Sequence, residues 1–150
     1  IDFDPMDKES LSELHKFTKK HFQYTGSKIA GKILDNWDVE GVETTPRLPD
    51  DVVREGFSNP YSGIIALAHD PRVDDMALME ALKTNAFYVG AMGSERTSAA
   101  RRERLPELGL SGDEIDNLRA PIGLQIESKT PAEIAISIMA EVTAVRHGIG

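Results

Sequence analysis

The segment from residue 86 to residue 104, AFYVGAMGSERTSAARRER, constrains the fold of this chain more than any other. An apolar run from Ala86 to Met92 has the length of a buried strand, and Gly93 and Ser94 follow it at once. A helix-forming stretch with four arginines comes next. This order of strand, tight turn and helix start is typical of open α/β sheets, in which ligands bind at the carboxyl ends of the strands. Free backbone N–H groups at a helix start, close to an arginine, favour an anion such as phosphate.

Apolar strands and helices alternate through most of the chain. The run from Ile64 to Ala68 is a second apolar segment of strand length. A helix is predicted before it, opening at Pro49, and another after it, with Asp74 or Asp75 as the N-cap. This alternation predicts βαβ units on a parallel sheet, and therefore a three-layer α/β domain.

Two capping boxes mark helix starts in the last third of the chain. Ser111 and Glu114 predict a short helix that continues through Leu118. The sequence TPAE at 130–133 combines an N-cap, a proline and a glutamate, and predicts a long final helix. Between them, residues 121–124 are predicted as either a last short strand or a loop.

The first 38 residues are predicted to form a helical hairpin, because apolar residues recur there at steps of three and four. Residues 24–27, YTGS, break this pattern between the two helices. A weak short strand is predicted at 39–45. We therefore divide the chain into an N-terminal helical segment, 1–38, and an α/β domain, 39–150. The apolar face of the hairpin is expected to be buried against the sheet or in a dimer interface.

Charge and composition exclude several classes of protein. The formal net charge of −8 argues against a general nucleic-acid binder. The chain has no cysteine, which excludes disulfides, zinc–thiolate sites and cysteine nucleophiles. No apolar run approaches the roughly 18 residues of a membrane span, and no signal peptide is recognised. The four histidines lack the spacing of metal ligands. We therefore expect a cytoplasmic protein without a metal site that binds neither nucleic acid nor a membrane.

Two places at the predicted edge of the sheet carry candidate ligand contacts. His69 and Asp70 follow the apolar segment at 64–68. At this position they are candidates to contact a ligand or to act as an acid/base pair. The alternative is that Asp70 caps the turn and His69 fills the rim. Gly93 allows a close approach, and Ser94 offers a hydroxyl and an N–H group. The alternative there is that Ser94 or Thr97 only caps the helix.

The arginines after the second turn fall into two groups. Arg96 lies next to the turn and is a candidate clamp for an anion. Arg101, Arg102 and Arg104 lie further along the helix and are predicted to form a solvated face, paired with nearby glutamates. The chain has no GxGxxG motif and no Walker loop, which weighs against an intact nicotinamide dehydrogenase.

Together these motifs resemble the carboxy-terminal Rossmann-like domain of the XdhC/CoxI family, the accessory proteins of xanthine dehydrogenase and related molybdenum hydroxylases. The similarity runs from about residue 46 to residue 149. Three motifs carry it: HDP with DD at 69–75, YVGAMGSER at 88–96, and PIG with SKTPAEIA at 121–135. Members of the family normally open this domain with a hydrophobic strand and a glycine-rich turn of the type GAGHV, which is missing here.

The resemblance implies a Rossmann-like parallel sheet without its first glycine-rich βαβ unit, preceded by the helical hairpin. It implies a maturation module rather than an enzyme, with no catalytic residue. The implied cofactor is the molybdenum cofactor or NAD(P), and the implied partners are the apoenzyme of a molybdenum hydroxylase and a second copy of the chain. The implied cofactor-binding residues are His69, Asp70, Gly90, Gly93, Ser94, Arg96 and Thr97.

Residues 1 to about 38 resemble a different protein, the carboxy-terminal tail of the glutamate synthase large subunit, on the stretch DKESLSELHKFTKKHFQYTGSKIAGKILDNWD. That tail carries no catalytic residue. The resemblance implies a junction of two unrelated pieces near residues 38–46. Two alternative functions remain: an NAD(P)-binding oxidoreductase domain, and a fragment or fusion related to glutamate synthase without catalytic activity.

Overall fold

A computed structural model describes residues 23–25, 39–68 and 70–150. The chain divides into two units, with the boundary between Leu48 and Pro49. This boundary lies later in the chain than the one predicted between 38 and 39. The two predicted hairpin helices and their apolar face lie outside the described residues.

In the first unit, two short strands form a parallel pair. Strand β1, Gln23–Thr25, lies beside strand β2, Glu43–Thr45. Strand β1 contains a tyrosine and a threonine and strand β2 two threonines, and these residue types favour extended backbone. The short strand predicted within 39–45 is therefore confirmed. The extended, paired backbone at 23–25 agrees with the predicted break of the helical pattern at 24–27, although a strand there was not predicted.

The second unit contains a three-stranded parallel sheet in the order β3-β4-β5. Its strands are β3, Gly63–Ala66; β4, Tyr88–Ala91; and β5, Leu118–Arg119. The central strand β4 is buried along its whole length, as its continuous apolar run predicted. Strand β5 is not among the predicted elements, because Leu118 is predicted to end the preceding helix. Residues 121–124 form a loop, which decides between the two predicted alternatives.

Within the described residues, five α-helices connect or follow these strands. They are α1, Pro49–Gly56; α2, Pro71–Ala81; α3, Glu95–Arg104; α4, Gly112–Asp116; and α5, Pro131–Arg146. A 3-10 turn, Leu105–Leu108, continues α3 and ends at Gly109 in the left-handed conformation, with φ of 92°. None of the helices described is both long and apolar enough to cross a membrane.

The helix starts follow the capping chemistry of the sequence, with one correction. Ser111 and Thr130 each form the predicted capping box with the glutamate three residues later. Helix α2 starts earlier than predicted, because the Asp70 side chain accepts a hydrogen bond from the backbone N–H two residues on. Asp74 and Asp75, the predicted caps, therefore lie inside the helix and are buried.

The hydrophobic core of the second unit surrounds β4. Leu78 of α2, Ala91 of β4 and Leu105 after α3 have no exposed surface. Val53 of α1 and Leu118 of β5 belong to the same cluster. Complete burial of a leucine contributes about 1.5–3 kcal/mol. These contacts hold the helices against the sheet, and they thereby fix the turns that join strands to helices.

Candidate functional site

Two turns, after β3 and after β4, meet at the carboxyl edge of the sheet. Ala66 and Ala91 are paired in register, and the Met92 N–H donates to the Ala66 carbonyl at 2.9 Å. The turn that leads to Asp70 therefore lies on the same edge as the turn at 92–94, as the sequence predicted. His69, the other candidate on the first turn, lies outside the described residues.

Ser94 is the N-cap of α3. Its Oγ accepts a hydrogen bond from the Thr97 N–H at 3.2 Å, and the Thr97 hydroxyl donates to the Ser94 carbonyl at 3.0 Å. The capping role considered for Ser94 is thus confirmed. The backbone N–H groups of Gly93–Arg96 donate to no atom in the described part of the chain. They are the unsatisfied donors of a helix start, and they can bind an anion.

Arg96 is exposed on the first turn of α3. Its guanidinium has no hydrogen bond or ion pair to any residue that the structure describes. Glu95 beside it is also exposed, so the side-chain charges of this turn cancel. The preference for an anion therefore depends on the free N–H groups, the positive end of the helix dipole and the freedom of the Arg96 guanidinium to turn towards a ligand.

The two candidate glycines differ in their surroundings. A Cβ on Gly93 would lie 2.5 Å from Thr97 Oγ1 and 3.5 Å from Ser98 Oγ, so the turn packs directly on α3. A Cβ on Gly90 would lie 2.6 Å from Ile122 Cδ1. Close packing against Ile122 accounts for glycine at position 90, and a cofactor contact there stays a prediction.

Asp70 is engaged within its own turn. In addition to capping α2, its two carboxylate oxygens accept hydrogen bonds from Arg72 Nε at 3.1 Å and Nη2 at 3.0 Å. The Arg72 side chain holds the pKa of Asp70 below its usual value. Asp70 is therefore ionised near neutral pH, where it can accept a hydrogen bond from a ligand but has no proton to give.

A buried ion-pair cluster, formed by Asp74, Asp75, Arg101 and Arg104, lies against both turns. Arg101 is 4% exposed; its Nε donates to Asp75 Oδ1 at 3.1 Å and its Nη2 to Asp74 Oδ2 at 3.3 Å. Arg104 Nε donates to the second Asp75 oxygen at 3.0 Å. The prediction of a solvated arginine face is wrong for Arg101, because the two aspartates of α2 offset its charge where the helices meet. The Arg104 side chain is 41% exposed, but its partner is Asp75 of α2 and not a nearby glutamate.

Arg102 also differs from the prediction. Its guanidinium donates to the Ile115 carbonyl at 3.0 Å and to the Leu118 carbonyl at 2.7 Å. The planar fork of an arginine suits two carbonyl groups that lie close together. Arg102 therefore joins α3 to the end of α4 and to β5.

Ser98 is a residue of this region that the sequence analysis missed. It is 2% exposed, and its hydroxyl has no hydrogen-bond partner among the described residues. It follows Ser94 by four positions, which places it on the same side of α3 as the cap. This four-residue spacing from Ser94 is the sequence feature that could have indicated that Ser98 lies near the turn.

The chemistry of the donors indicates which ligand group the turn fits. Backbone N–H groups, hydroxyls and a guanidinium bind phosphate or carboxylate oxygens. Among the residues that the structure describes, no group of three or more histidines, aspartates or glutamates could hold a metal ion. The site is therefore suited to the anionic part of a ligand.

Comparison of the sequence with known proteins shows the family of this chain. A sequence model described as the XdhC Rossmann domain matches residues 7–142. The chain is 38% identical over 85 residues to the molybdenum cofactor insertion chaperone PaoD of Escherichia coli (strain K12), covering 57% of this chain and 27% of that protein. It is 29% identical over 102 residues to a probable xanthine dehydrogenase subunit of Bacillus subtilis (strain 168), covering 67% of this chain and 28% of that protein. The chain thus spans about a quarter of the length of these two relatives.

A solved structure shares the fold. The crystal structure of a xanthine dehydrogenase from Bacillus halodurans superposes with a TM-score of 0.68 at 22% identity, over 94% of this chain and 40% of that one. The predicted Rossmann-like α/β fold is confirmed. The family match begins at residue 7, within the segment that resembles the glutamate synthase tail, and that second resemblance stays a prediction. Because the match covers most of its length, the chain belongs to the XdhC family.

Proposed function

We propose that this chain is the Rossmann domain of a maturation factor for molybdenum hydroxylases, and that it binds the molybdenum cofactor through its phosphate at the start of α3. The observation that carries the proposal is the run of N–H groups at Gly93–Arg96, which have no partner in the described part of the chain, beside the exposed Arg96 side chain, which has none there either. Family membership and the similarity to PaoD support the choice of cofactor.

In this proposal the chain binds and hands over a ligand without catalysing a reaction. The N–H groups of Gly93–Arg96 donate to the phosphate oxygens, and Arg96 offsets part of the phosphate charge. The hydroxyls of Ser94 and Thr97 lie at the same turn. Asp70, which stays ionised, accepts a hydrogen bond from the ring or a hydroxyl of the ligand, with His69 beside it in the sequence. When bound, the cofactor supplies the redox chemistry of the acceptor enzyme.

The proposed partner is the apoenzyme of a molybdenum hydroxylase, and the proposed assembly is a homodimer. A cofactor that reaches an active site in another protein has to be released from its carrier. A binding site on exposed turns at one edge of a sheet fits that requirement. Sedimentation of the chain alone and mixed with apoenzyme measures both associations.

NAD(P) is the second candidate ligand, since a pyrophosphate fits the same donors. The missing GxGxxG fingerprint favours the molybdenum cofactor. Titration of the same protein with NAD, with NADP and with the molybdenum cofactor distinguishes the two candidate ligands, because it compares their affinities directly.

The test is an anaerobic binding titration with molybdenum cofactor released from a molybdenum enzyme. Arg96→Ala is expected to weaken binding about tenfold, the effect of losing one charge-assisted hydrogen bond. Arg146→Ala is the matched control, since Arg146 is exposed in the last turn of α5 and its removal changes the net charge equally. The proposal fails if the wild type does not bind, or if both variants bind equally well. Binding of NAD or NADP alone would favour the second candidate.

A further inference from the structure

We infer that Asp74 and Arg101 are positioning residues that orient the two ligand-facing turns from behind. Asp74 Oδ1 accepts the N–H of Ala68, after β3, at 3.1 Å. Arg101 Nη1 donates to the carbonyl of Met92, after β4, at 3.2 Å. The two side chains are joined at 3.3 Å, so one continuous chain of polar contacts links the turns. The inference rests on the proposed function, because it concerns the same site.

The orientation follows from the geometry of the peptide group. In a trans peptide the C=O and the next N–H point in opposite directions. Because Arg101 holds the Met92 carbonyl inward, the Gly93 N–H of the same peptide points outward. Because Asp74 holds the Ala68 N–H inward, the Leu67 carbonyl points outward. The cluster therefore presents a donor on the second turn and an acceptor on the first.

This arrangement specifies the class of ligand further. The Leu67 carbonyl and the Gly93 N–H have no partner among the described residues. The Gly93 N–H therefore offers a donor to an oxyanion, and the Leu67 carbonyl offers an acceptor to an N–H or O–H group of the ligand.

Burial strengthens the hydrogen bonds that orient the two backbone groups. The side chains of Arg101 and Asp74 are 5% and 4% exposed, so water competes little for their hydrogen bonds. Burial also raises the pKa of Asp74, and the Ala68 N–H and the Arg101 charge oppose that rise. Packing of apolar residues would hold α2 against α3 equally well, but it could not hold two backbone groups.

The test uses the full chain labelled with 15N and titrated with inorganic pyrophosphate. The wild type is expected to show shifts of the Gly93 and Arg96 amide resonances. Arg101→Lys keeps the charge but cannot reach three acceptors in different directions. In this variant we expect about tenfold weaker binding and loss of the Gly93 shift, while the Arg96 shift remains.

Val53→Ala is the control for stability, because it removes core volume at a buried position of α1 without touching either turn. We expect it to bind pyrophosphate as the wild type does at a temperature where it is folded. Unchanged binding and an unchanged Gly93 shift in Arg101→Lys would overturn the inference, as would an equal loss in Val53→Ala. If Arg101→Lys does not fold, Asp74→Ala replaces it: this change removes the acceptor of the Ala68 N–H, and about tenfold weaker binding of pyrophosphate is expected.

The outcomes separate this inference from the proposed function. If pyrophosphate binds in the Arg101-dependent way while molybdenum cofactor does not bind, the positioning role stands and the proposed function fails. If neither ligand binds the wild type, both fail. If both bind and Arg101→Lys behaves as the wild type, only the positioning role is overturned.

Discussion

Replacing Ser98 by alanine is expected to stabilise the protein. Loss of a buried hydroxyl normally lowers stability because its hydrogen bond is lost with it. The Ser98 hydroxyl is buried and has no partner among the described residues. The folded state therefore carries its desolvation penalty without a compensating bond, and Ser98→Ala removes that penalty.

The size of the effect follows from two contributions. An unpaired buried polar group costs about 1–3 kcal/mol, and alanine favours a helix over serine by a few tenths of a kcal/mol. Loss of van der Waals contacts by the oxygen offsets part of this gain. We expect a net rise of about 1 kcal/mol in the free energy of unfolding. In a domain of about 100 residues this corresponds to a rise in Tm of roughly 4–8 °C.

Thermal unfolding followed by circular dichroism measures the change, and urea unfolding gives the free energy. Ser137→Ala is the matched control: Ser137 is 4% exposed in α5, but its hydroxyl donates to the Ile134 carbonyl at 3.0 Å. No gain is expected there. A fall in Tm for Ser98→Ala would refute the reasoning, because it would show that the hydroxyl has a partner in the folded protein.

Two further predictions concern carboxylates that hold α5 in place. The Tyr88 hydroxyl donates a hydrogen bond to Glu141, whose side chain is 13% exposed. Tyr88→Phe should therefore lower the free energy of unfolding, measured in urea, by about 1.5–3 kcal/mol. An unchanged free energy of unfolding would contradict this contact. Hydrogen bonds from the backbone N–H groups of Thr130 and the residue before it lower the pKa of Glu133. Its contribution to stability is therefore complete above the unfolded pKa near 4.5 and is lost as the pH falls through the lower folded pKa. Glu133→Gln should reduce the loss of stability between pH 7 and pH 3, and an identical pH profile would argue against the capping box.

Helix starts could be predicted because their chemistry is local. The caps at Ser111 and Thr130 depend only on residues three positions away, and both capping boxes form. The start of α2 was placed too late, because three aspartates compete within a few residues and only the backbone decides which of them caps. Strand β5 was missed, because two residues show no periodicity and their pairing is a tertiary contact.

The candidate site was predictable to a similar extent. The turn at Gly93 and Ser94 follows from an apolar run that ends at a glycine, and any helix start exposes N–H groups. The burial of Arg101 could not be predicted, because its neighbours in the sequence are charged and its partners lie on another helix. That the Ser98 hydroxyl has no partner among the described residues also depends on packing, which no sequence pattern predicts.

The order of the strands has a consequence for how a ligand is held. Strands β3, β4 and β5 lie side by side in chain order, and within the described residues β3 pairs on one side only. In doubly wound sheets the binding crevice opens where the strand order reverses, so that loops from both halves enclose the ligand. The order of the described strands in this sheet contains no reversal, so the turns after β3 and β4 form one half of such a crevice. If the chain hands over its ligand as proposed, contacts from one half of a crevice favour a short residence time, because fewer interactions have to break when the ligand is released.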